Sequence, residues 1–209
     1  MLVVHGGMPG TLLRTRDGLS VGVGLPSEQV VSNSGRPTPV LVSFAPDTGA
    51  VATVTHFATV DPPDDFQQPS SVYARDVVSL EDGSIVVVGD FAGDTTFFPG
   101  TADEVSMFTP TSISYQGVDP IVEGAREQYA FRLAPGGSVD WVVRSETEPT
   151  ETWTALVPDF VTAAPDGELF VYSHSYLGPS AVTFPGATAI VGNATTGNKL
   201  LAQLDPLTG

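Results

Sequence analysis

The histidines are the side chains of this chain with the widest chemical range, since an imidazole can bind zinc or move a proton near neutral pH. There are three of them, His5, His56 and His174. A zinc site needs three or four converging ligands, and neither an H-x-x-x-H nor an H-E-x-x-H spacing occurs. The three also fall at different positions of an internal repeat, so symmetry would not bring them together. We therefore predict no metal site and interpret them as strand or rim residues.

Acidic loops are the second candidate, because Ca²⁺ takes six to eight oxygen ligands from a compact acidic segment. The carboxylates concerned are Asp61 to Asp65 (DPPDD), Asp90 with Asp94, and Asp119. Two prolines stiffen the first loop, and neither a D-x-D-x-D-G run nor a calcium-binding nonapeptide occurs. Ca²⁺ stays open as a cofactor, but we favour solvated turns for these residues.

Motifs for phosphate and thiol chemistry are absent. The chain has no G-x-x-x-x-G-K-[ST] run, and without cysteine it has no disulfides or thiol catalysis. Gly89 and Gly93 are interpreted as a bulge and a turn, because no helix pattern follows to make a phosphate cradle. Nothing singles out a carboxylate pair for glycoside chemistry. We assign no catalytic, cofactor-binding or metal-binding residue, and the sequence favours a protein that is not an enzyme.

Aromatic residues could instead form a surface that stacks on sugars. The candidates are Trp141 and Trp153 with Tyr115, Tyr129 and Tyr176. Trp141 lies in an apolar strand pattern (VDWVVR), which predicts packing between sheets. Trp153 follows an acidic connector and is the better candidate for an exposed ring.

The amino-acid composition limits the classes of protein to which this chain can belong. The 209 residues carry a net charge of −16, from 24 acidic and 8 basic residues, which disfavours nucleic acid and anionic membranes. Frequent Gly (22) and Pro (18), with many Val and Thr, predict short strands and turns, and no sustained helical spacing occurs. No apolar run is long enough to span a membrane. The N-terminus (MLVVHGGMPG) lacks the regions of a signal peptide.

The most informative feature is a repeat. Residues 72–100 contain two β-type runs joined by an Asp82-Gly83 turn, then a Gly-containing break and a third short run. A related stretch returns at residues 160–186. A second hairpin type, with a Pro- and Gly-bearing turn, occurs at residues 39–57 and 129–144, and its first half returns at residues 200–209.

These repeats predict one β-repeat region over residues 1–209, divided into 1–66 (partial), 67–150 and 151–209 (partial). The insert between the two hairpin types covers 101–127 in one copy and shrinks to 187–198 in the other. Repeats of four or five short strands predict an all-β fold, a partial β-propeller made of consecutive antiparallel blades. The alternative is a β-sandwich, whose strands should alternate more cleanly and should not repeat at this period.

The repeats resemble bacterial β-propeller repeats of the SBBP type. The residues that carry the resemblance are Val77–Gly83, Val86–Phe91, Thr96–Phe98, and Phe131–Gly137 with Trp141. The last copy departs from the pattern, with Ser173 in place of a glycine and one extra residue in the turn at 205–209. The lysine of the family's A-K-L step is replaced by Ser43, Arg132 and Gln203.

The resemblance implies an exported, extracellular or cell-envelope protein, and it implies no catalytic residues because these repeats share none. We predict a non-enzymatic binding or scaffold module, with a protein or glycan as ligand, met through loops such as 101–127. The alternative is part of a propeller enzyme with its active site in the central channel. About two and a half blades are expected, so further blades of a longer chain or self-association are predicted partners.

Overall fold

A computed structural model describes the chain at residues 2–4, 12–14, 20–22, 39–44, 48, 51–60, 71–109, 111–116, 119–124, 126–147, 156–175, 182–183, 188–192 and 198–209. Across these residues the protein is all-β, every strand pair is antiparallel, and no helix is present. The predicted all-β class is therefore confirmed. In the same ranges there is no helix with the length and apolar character needed to cross a membrane.

Twenty strands are described. The first ten are β1 (Leu2–Val4), β2 (Leu12–Arg14), β3 (Ser20–Gly22), β4 (Val40–Phe44), β5 (Val51–His56), β6 (Ala58–Val60), β7 (Ser71–Ser79), β8 (Ile85–Ala92), β9 (Thr95–Phe97) and β10 (Val105–Met107). The others are β11 (Thr111–Gln116), β12 (Asp119–Gly124), β13 (Glu127–Leu133), β14 (Val139–Arg144), β15 (Glu146–Thr147), β16 (Leu156–Ala163), β17 (Leu169–Ser175), β18 (Val182–Thr183), β19 (Thr188–Gly192) and β20 (Asn198–Leu204).

Three of the described sheets contain the predicted hairpins. The N-terminal sheet has the order β1-β4-β5, the central sheet β14-β13-β8-β7, and the C-terminal sheet β16-β17-β20-β19. Smaller sheets are formed by β10-β9-β6, β11-β12, β15-β18 and β2-β3. In the central sheet the two predicted hairpins are joined by pairing of β8 with β13 across the insert. The third predicted run is a strand, β9, but it pairs with β6 and β10 outside the central sheet.

The three hairpins β7–β8, β13–β14 and β16–β17 close with the same turn. In the first, the Leu80 amide donates to the Ser84 carbonyl at 2.9 Å and the Gly83 amide to the Leu80 carbonyl at 3.1 Å. The other two repeat this pattern at Ala134–Ser138 and Ala164–Glu168. The glycine at the fourth position has φ of 82°, 87° and 90° at Gly83, Gly137 and Gly167. This left-handed backbone suits glycine, which explains the Asp-Gly and Gly-Gly turn signatures.

The central sheet is buried on both faces. On its front face the apolar side chains pack toward the N-terminal sheet and its neighbours, in a cluster that includes Leu41, Phe57, Val72, Ile85, Val87, Phe91, Phe97, Phe98, Tyr129 and Phe131. On its back face they pack against the C-terminal sheet, in a cluster that includes Val86, Val88, Ala130, Trp141, Val161, Leu169, Val171, Ala202 and Leu204. Every residue of β8 is buried as a result. The predicted packing of Trp141 between sheets is confirmed.

The C-terminal sheet is less buried than the central sheet in the described residues. Leu169 and Val171 of β17 are buried, whereas Phe170 and Tyr172 are half-buried. Burial therefore alternates along residues 169–172 (LFVY), whereas residues 85–88 (IVVV) of β8 are all buried.

Candidate functional site

A buried ion-pair cluster lies at one end of β7 and β8. Asp90 is fully buried, yet it carries a carboxylate. Its Oδ1 accepts a hydrogen bond from Arg75 Nε and its Oδ2 accepts one from Arg126 Nη1. Arg126 Nη2 also donates to Ser71 Oγ at 2.7 Å. The charge of Asp90 is therefore compensated by two guanidinium groups, as a buried charge requires.

A β-bulge brings Arg75 to this site. Ala74 pairs with Gly89 and Asp76 with Val88, so Arg75 is the extra residue of β7 and is skipped in the backbone register with β8. An extra residue bends its strand and redirects a side chain. The Arg75 side chain reaches across to Asp90, while the Asp76 carboxylate accepts a hydrogen bond from the Val161 amide at 3.0 Å.

Tyr73 lies between the two arginines. The guanidinium carbons of Arg75 and Arg126 lie 5.2 Å and 4.9 Å from the centroid of its ring. These distances are those of cation–π contacts. The side chains of Arg75 and Arg126 are 37% and 26% exposed, so the cluster presents two cations around one ring at the edge of solvent.

Gly89 makes room for a second tyrosine. Tyr129 Oη donates a hydrogen bond to the Tyr73 carbonyl at 3.1 Å, so its side chain spans β8 from β13 to β7. A Cβ on Gly89 would lie 2.0 Å from that carbonyl oxygen and 2.4 Å from Tyr129 Oη. Burial, followed by the nearby Asp90 charge, raises the pKa of the Tyr129 phenol well above its usual value, against a smaller opposing effect of Arg75.

Two glycine predictions can now be compared with the structure. Gly93 has φ of 73° in the bend between β8 and β9, so the predicted turn there is confirmed. The predicted bulge at Gly89 is wrong. The bulge lies on the opposite strand, at Arg75, and Gly89 is required for the close approach of Tyr129.

A second polar cluster lies at the other end of the central sheet, around Arg132. Its guanidinium group donates to Ser84 Oγ at 3.1 Å and to the Pro206 carbonyl, and it pairs with Asp82 and Asp140. Trp141 Nε1 donates to the same Pro206 carbonyl at 3.2 Å. Hydrogen bonds from the Ser84 hydroxyl and amide, with the charge of Arg132, lower the pKa of the Asp82 carboxyl. This cluster ties the central sheet to the turn after β20.

The C-terminal sheet has its own counterpart of the first cluster. A bulge between Pro158 and Phe160 sets Asp159 apart, and His174 Nδ1 lies 2.7 Å from Asp159 Oδ1. Beside this pair, Phe160 is 45% exposed and stacks on Tyr172, with ring centroids 5.0 Å apart. Lys199 Nζ lies 5.3 Å from the Tyr172 centroid.

The structure places several of the sequence candidates. His56 ends β5 and His174 lies in β17, whereas Tyr115 and Asp119 lie in the hairpin β11–β12. Asp94 is exposed as predicted, but the solvated-turn prediction is wrong for Asp90, because the two arginines allow its burial. His5, Asp61 to Asp65, Trp153 and Tyr176 lie outside the described residues. No group of three metal-binding side chains occurs among those that are described.

Sequence reasoning missed Tyr73, Arg75 and Arg126. A usable signal was present, because the chain has only eight basic residues and both Arg75 and Arg126 lie in or beside apolar strand patterns. A cation at such a position needs a buried anion close by. No protein-family model matches the chain, and no curated protein matches it.

Proposed function

We propose that this chain is a non-enzymatic binding or scaffold module built from consecutive blades of a β-propeller, with repeats of the SBBP type. The observation that carries the proposal is the way in which its sheets stack. Blades of a propeller pack face to face, each burying a surface that a single sheet would leave exposed.

The sheets stack in the same orientation at two successive interfaces. Leu169 and Val171 of β17 hold the positions that Ile85 and Val87 hold in β8, as the shared turn glycines Gly83 and Gly167 align the two hairpins. They pack on the back face of the central sheet. Ile85 and Val87 pack in turn toward Leu41 of the N-terminal sheet. A front-on-back order of this kind can continue from sheet to sheet.

The outer face of the C-terminal sheet supports a further partner. Phe170 and Tyr172 stand where Val86 and Val88 stand in the central sheet, and those two valines are covered by the C-terminal sheet. With Phe160 beside them, they leave a partly exposed aromatic face. In this proposal a further blade, from a longer chain or from a second copy, covers it.

The ligand-binding part is assigned to the insert 101–127, which follows β9. Within 101–127, β10 extends the sheet of β9, and β11 and β12 form a two-stranded hairpin that no other described strand extends. An unsupported hairpin on a rigid scaffold is a common position for binding residues. A protein or a glycan is the proposed ligand, and an exported or cell-envelope location follows from the repeat resemblance alone.

Two observations favour binding over the alternative of a propeller enzyme. Asp90 is held by Arg75 and Arg126, and Arg132 is held by Asp82 and Asp140. In both clusters the charged groups join neighbouring strands, which is a structural use of buried charge.

The test compares the protein with a variant in which residues 110–125 are replaced by a short Gly-Ser linker. Both are applied to an array of bacterial cell-wall and capsular glycans. We expect saturable binding by the wild type and its loss in the variant, with an unchanged unfolding midpoint. Leu207→Ser, at a 75% exposed position, is the control that should bind normally. Turnover of chromogenic glycoside, ester or phosphate substrates by the wild type would support the enzyme instead.

Sedimentation tests the outer face. If the aromatic face is covered by a second copy, Phe160→Ser should shift a concentration-dependent dimer toward monomer. A dimer that Phe160→Ser leaves unchanged would place its interface elsewhere.

A further inference from the structure

The central and C-terminal sheets differ in the origin of one strand. In the central sheet, β13 is flanked by β8 and by β14, and β14 follows β13 through a hairpin turn. In the C-terminal sheet, β20 is flanked by β17 and by β19, and β19 precedes β20 in the chain. A strand from the insert therefore holds the position that a following strand holds in the sister sheet.

The register of the two strands is the same. Arg132 and Gln203 occupy equivalent positions, because Leu133 and Leu204 each end their strand and Pro135 and Pro206 follow in the turn. Arg132 pairs with Trp141 of β14, and Gln203 pairs with Thr188 of β19. At the other end, Arg144 pairs with Tyr129 and Val191 with Leu200, whose positions are again equivalent. β14 is antiparallel to β13 and β19 is antiparallel to β20, so β14 and β19 occupy equivalent positions in the two sheets.

The residues that fix β14 differ from those at the equivalent position in the C-terminal sheet. Arg132 pairs with Asp140 of β14 at 3.2 Å, and Trp141 is buried between the sheets and bonded to the Pro206 carbonyl. On β20 the residue in the place of Arg132 is Gln203, which carries no charge to hold an aspartate. The residues of β19 are Thr188, Ala189, Ile190, Val191 and Gly192, with no aromatic residue and with a glycine at the end.

We propose that the edge of β20 covered by β19 is a strand-addition site. Its ligand is an extended peptide segment with the pattern of β14, Val-x-Trp-Val-Val, which replaces β19 in the same register. Main-chain hydrogen bonds do not depend on which chain supplies the strand, so exchange keeps the ladder intact. The incoming tryptophan adds apolar area that β19 does not have.

The probe is a fluorescein-labelled peptide with the sequence of residues 138–145, SVDWVVRS. Its control carries proline in place of Val142 and Val143, because backbone N–H groups of adjacent residues point to opposite sides and one proline then removes a bond to β20. The protein variant is Ile190→Pro with Val191→Pro, which weakens β19 by the same reasoning. We expect fluorescence anisotropy to show at least ten-fold tighter peptide binding by the variant than by the wild type, and no binding of the control peptide. Equal affinities, or no saturable binding to either protein, would overturn the proposal.

Hydrogen exchange of the wild-type protein keeps the test decisive if the proline variant does not fold. At saturating peptide, amides 188–192 should lose protection while amides 198–204 keep theirs. Peptide binding that leaves residues 188–192 protected would place the peptide at another edge and refute the assignment.

Discussion

The central and C-terminal sheets place a polar pair at the same position, with the aspartate on opposite strands. In the central sheet the bulged residue of the first strand is Arg75 and its partner on the second strand is Asp90. In the C-terminal sheet the bulged residue is Asp159 and its partner is His174. The backbone geometry, a bulge opposite a fixed point of the next strand, is shared, whereas the side chains are not. The backbone geometry determines where a pair forms, whereas the local sequence determines which side chains form it.

Burial separates the two pairs. The Asp90 side chain is 0% exposed, whereas Asp159 and His174 are 34% and 21% exposed. The central sheet is covered on both faces and needs a second cation, Arg126, to neutralise its carboxylate. The same motif should therefore contribute very differently to stability in the two sheets, and matched substitutions can measure the difference.

The largest effect is expected from Asp90→Asn. The change removes the buried anion to which two partly exposed arginines each donate a hydrogen bond. At about 1.5–3 kcal/mol for each hydrogen bond to a charged group, the loss should be about 3–5 kcal/mol. Asp159→Asn is the matched change in the C-terminal sheet and should cost less than about 1 kcal/mol. Urea unfolding of both variants measures the contrast, and equal losses would show that burial does not distinguish the pairs.

Gly89→Ala comes next. Its new Cβ would meet the Tyr73 carbonyl and Tyr129 Oη, and since the former is backbone, β7 and β8 must separate locally. We expect a loss of about 3 kcal/mol, at the upper end for overpacking. Ser173 is the equivalent residue of β17, and its buried hydroxyl has no hydrogen-bond partner in the described structure. Ser173→Ala should change the free energy of unfolding by less than about 1 kcal/mol, so a loss as large as that of Gly89→Ala would contradict the prediction.

A pH dependence should arise from Tyr129, whose place in β20 is taken by the non-titrating Leu200. Because its pKa is raised in the folded state, its contribution is fully present below the unfolded pKa of about 10. Above that pH the unfolded chain loses the proton first, and stability falls by about 1.4 kcal/mol per pH unit. Urea unfolding between pH 8 and pH 11 should show a shallower decline for Tyr129→Phe. The variant should be less stable at pH 8 by about 1 kcal/mol, through loss of its hydrogen bond.

The smallest effect is expected at the hairpin turns. The Ser84 amide donates to Asp82 at 2.9 Å, and the Glu168 amide donates to the equivalent Asp166 at 3.3 Å. Of the two aspartates, Asp82 also forms an ion pair, with Arg132. Asp82→Asn should therefore lower the thermal midpoint more than Asp166→Asn at pH 7. Since the pKa of Asp82 is lowered, the difference should shrink as the pH falls through that pKa. If the difference in thermal midpoint between the two variants persists in strong acid, it arises from side-chain shape rather than from charge.

The sequence predicted the local parts of this fold well. The Asp82-Gly83 and Pro135-Gly136-Gly137 turns mark hairpins that the structure contains, because their geometry depends on a few adjacent residues. The order of the repeated hairpins placed both hairpins in one repeat, and the structure joins them through pairing of β8 with β13 across the insert. These features are encoded either in short segments or in their repetition.

The features that were missed depend on register between distant strands. The bulge at Arg75 exists only relative to β8, and the burial of Asp90 depends on Arg126, 36 residues further along. Gly89 is explained by a tyrosine of β13 rather than by its own neighbours. The place of β19 at the edge of β20 is likewise a property of the sheet, since its five residues suit many partners.

Pairing of β8 with β13 also bears on how such repeats can vary in length. Residues 93–126 connect the paired strands β8 and β13 in the central sheet, and residues 176–197 connect β17 and β20 in the C-terminal sheet. The entropy of loop closure grows only with the logarithm of loop length, so the two differ by about 0.4 kcal/mol on that account. Insertion between these hairpins is therefore nearly neutral thermodynamically. New segments can be acquired or lost there while the stacked strands stay as they are.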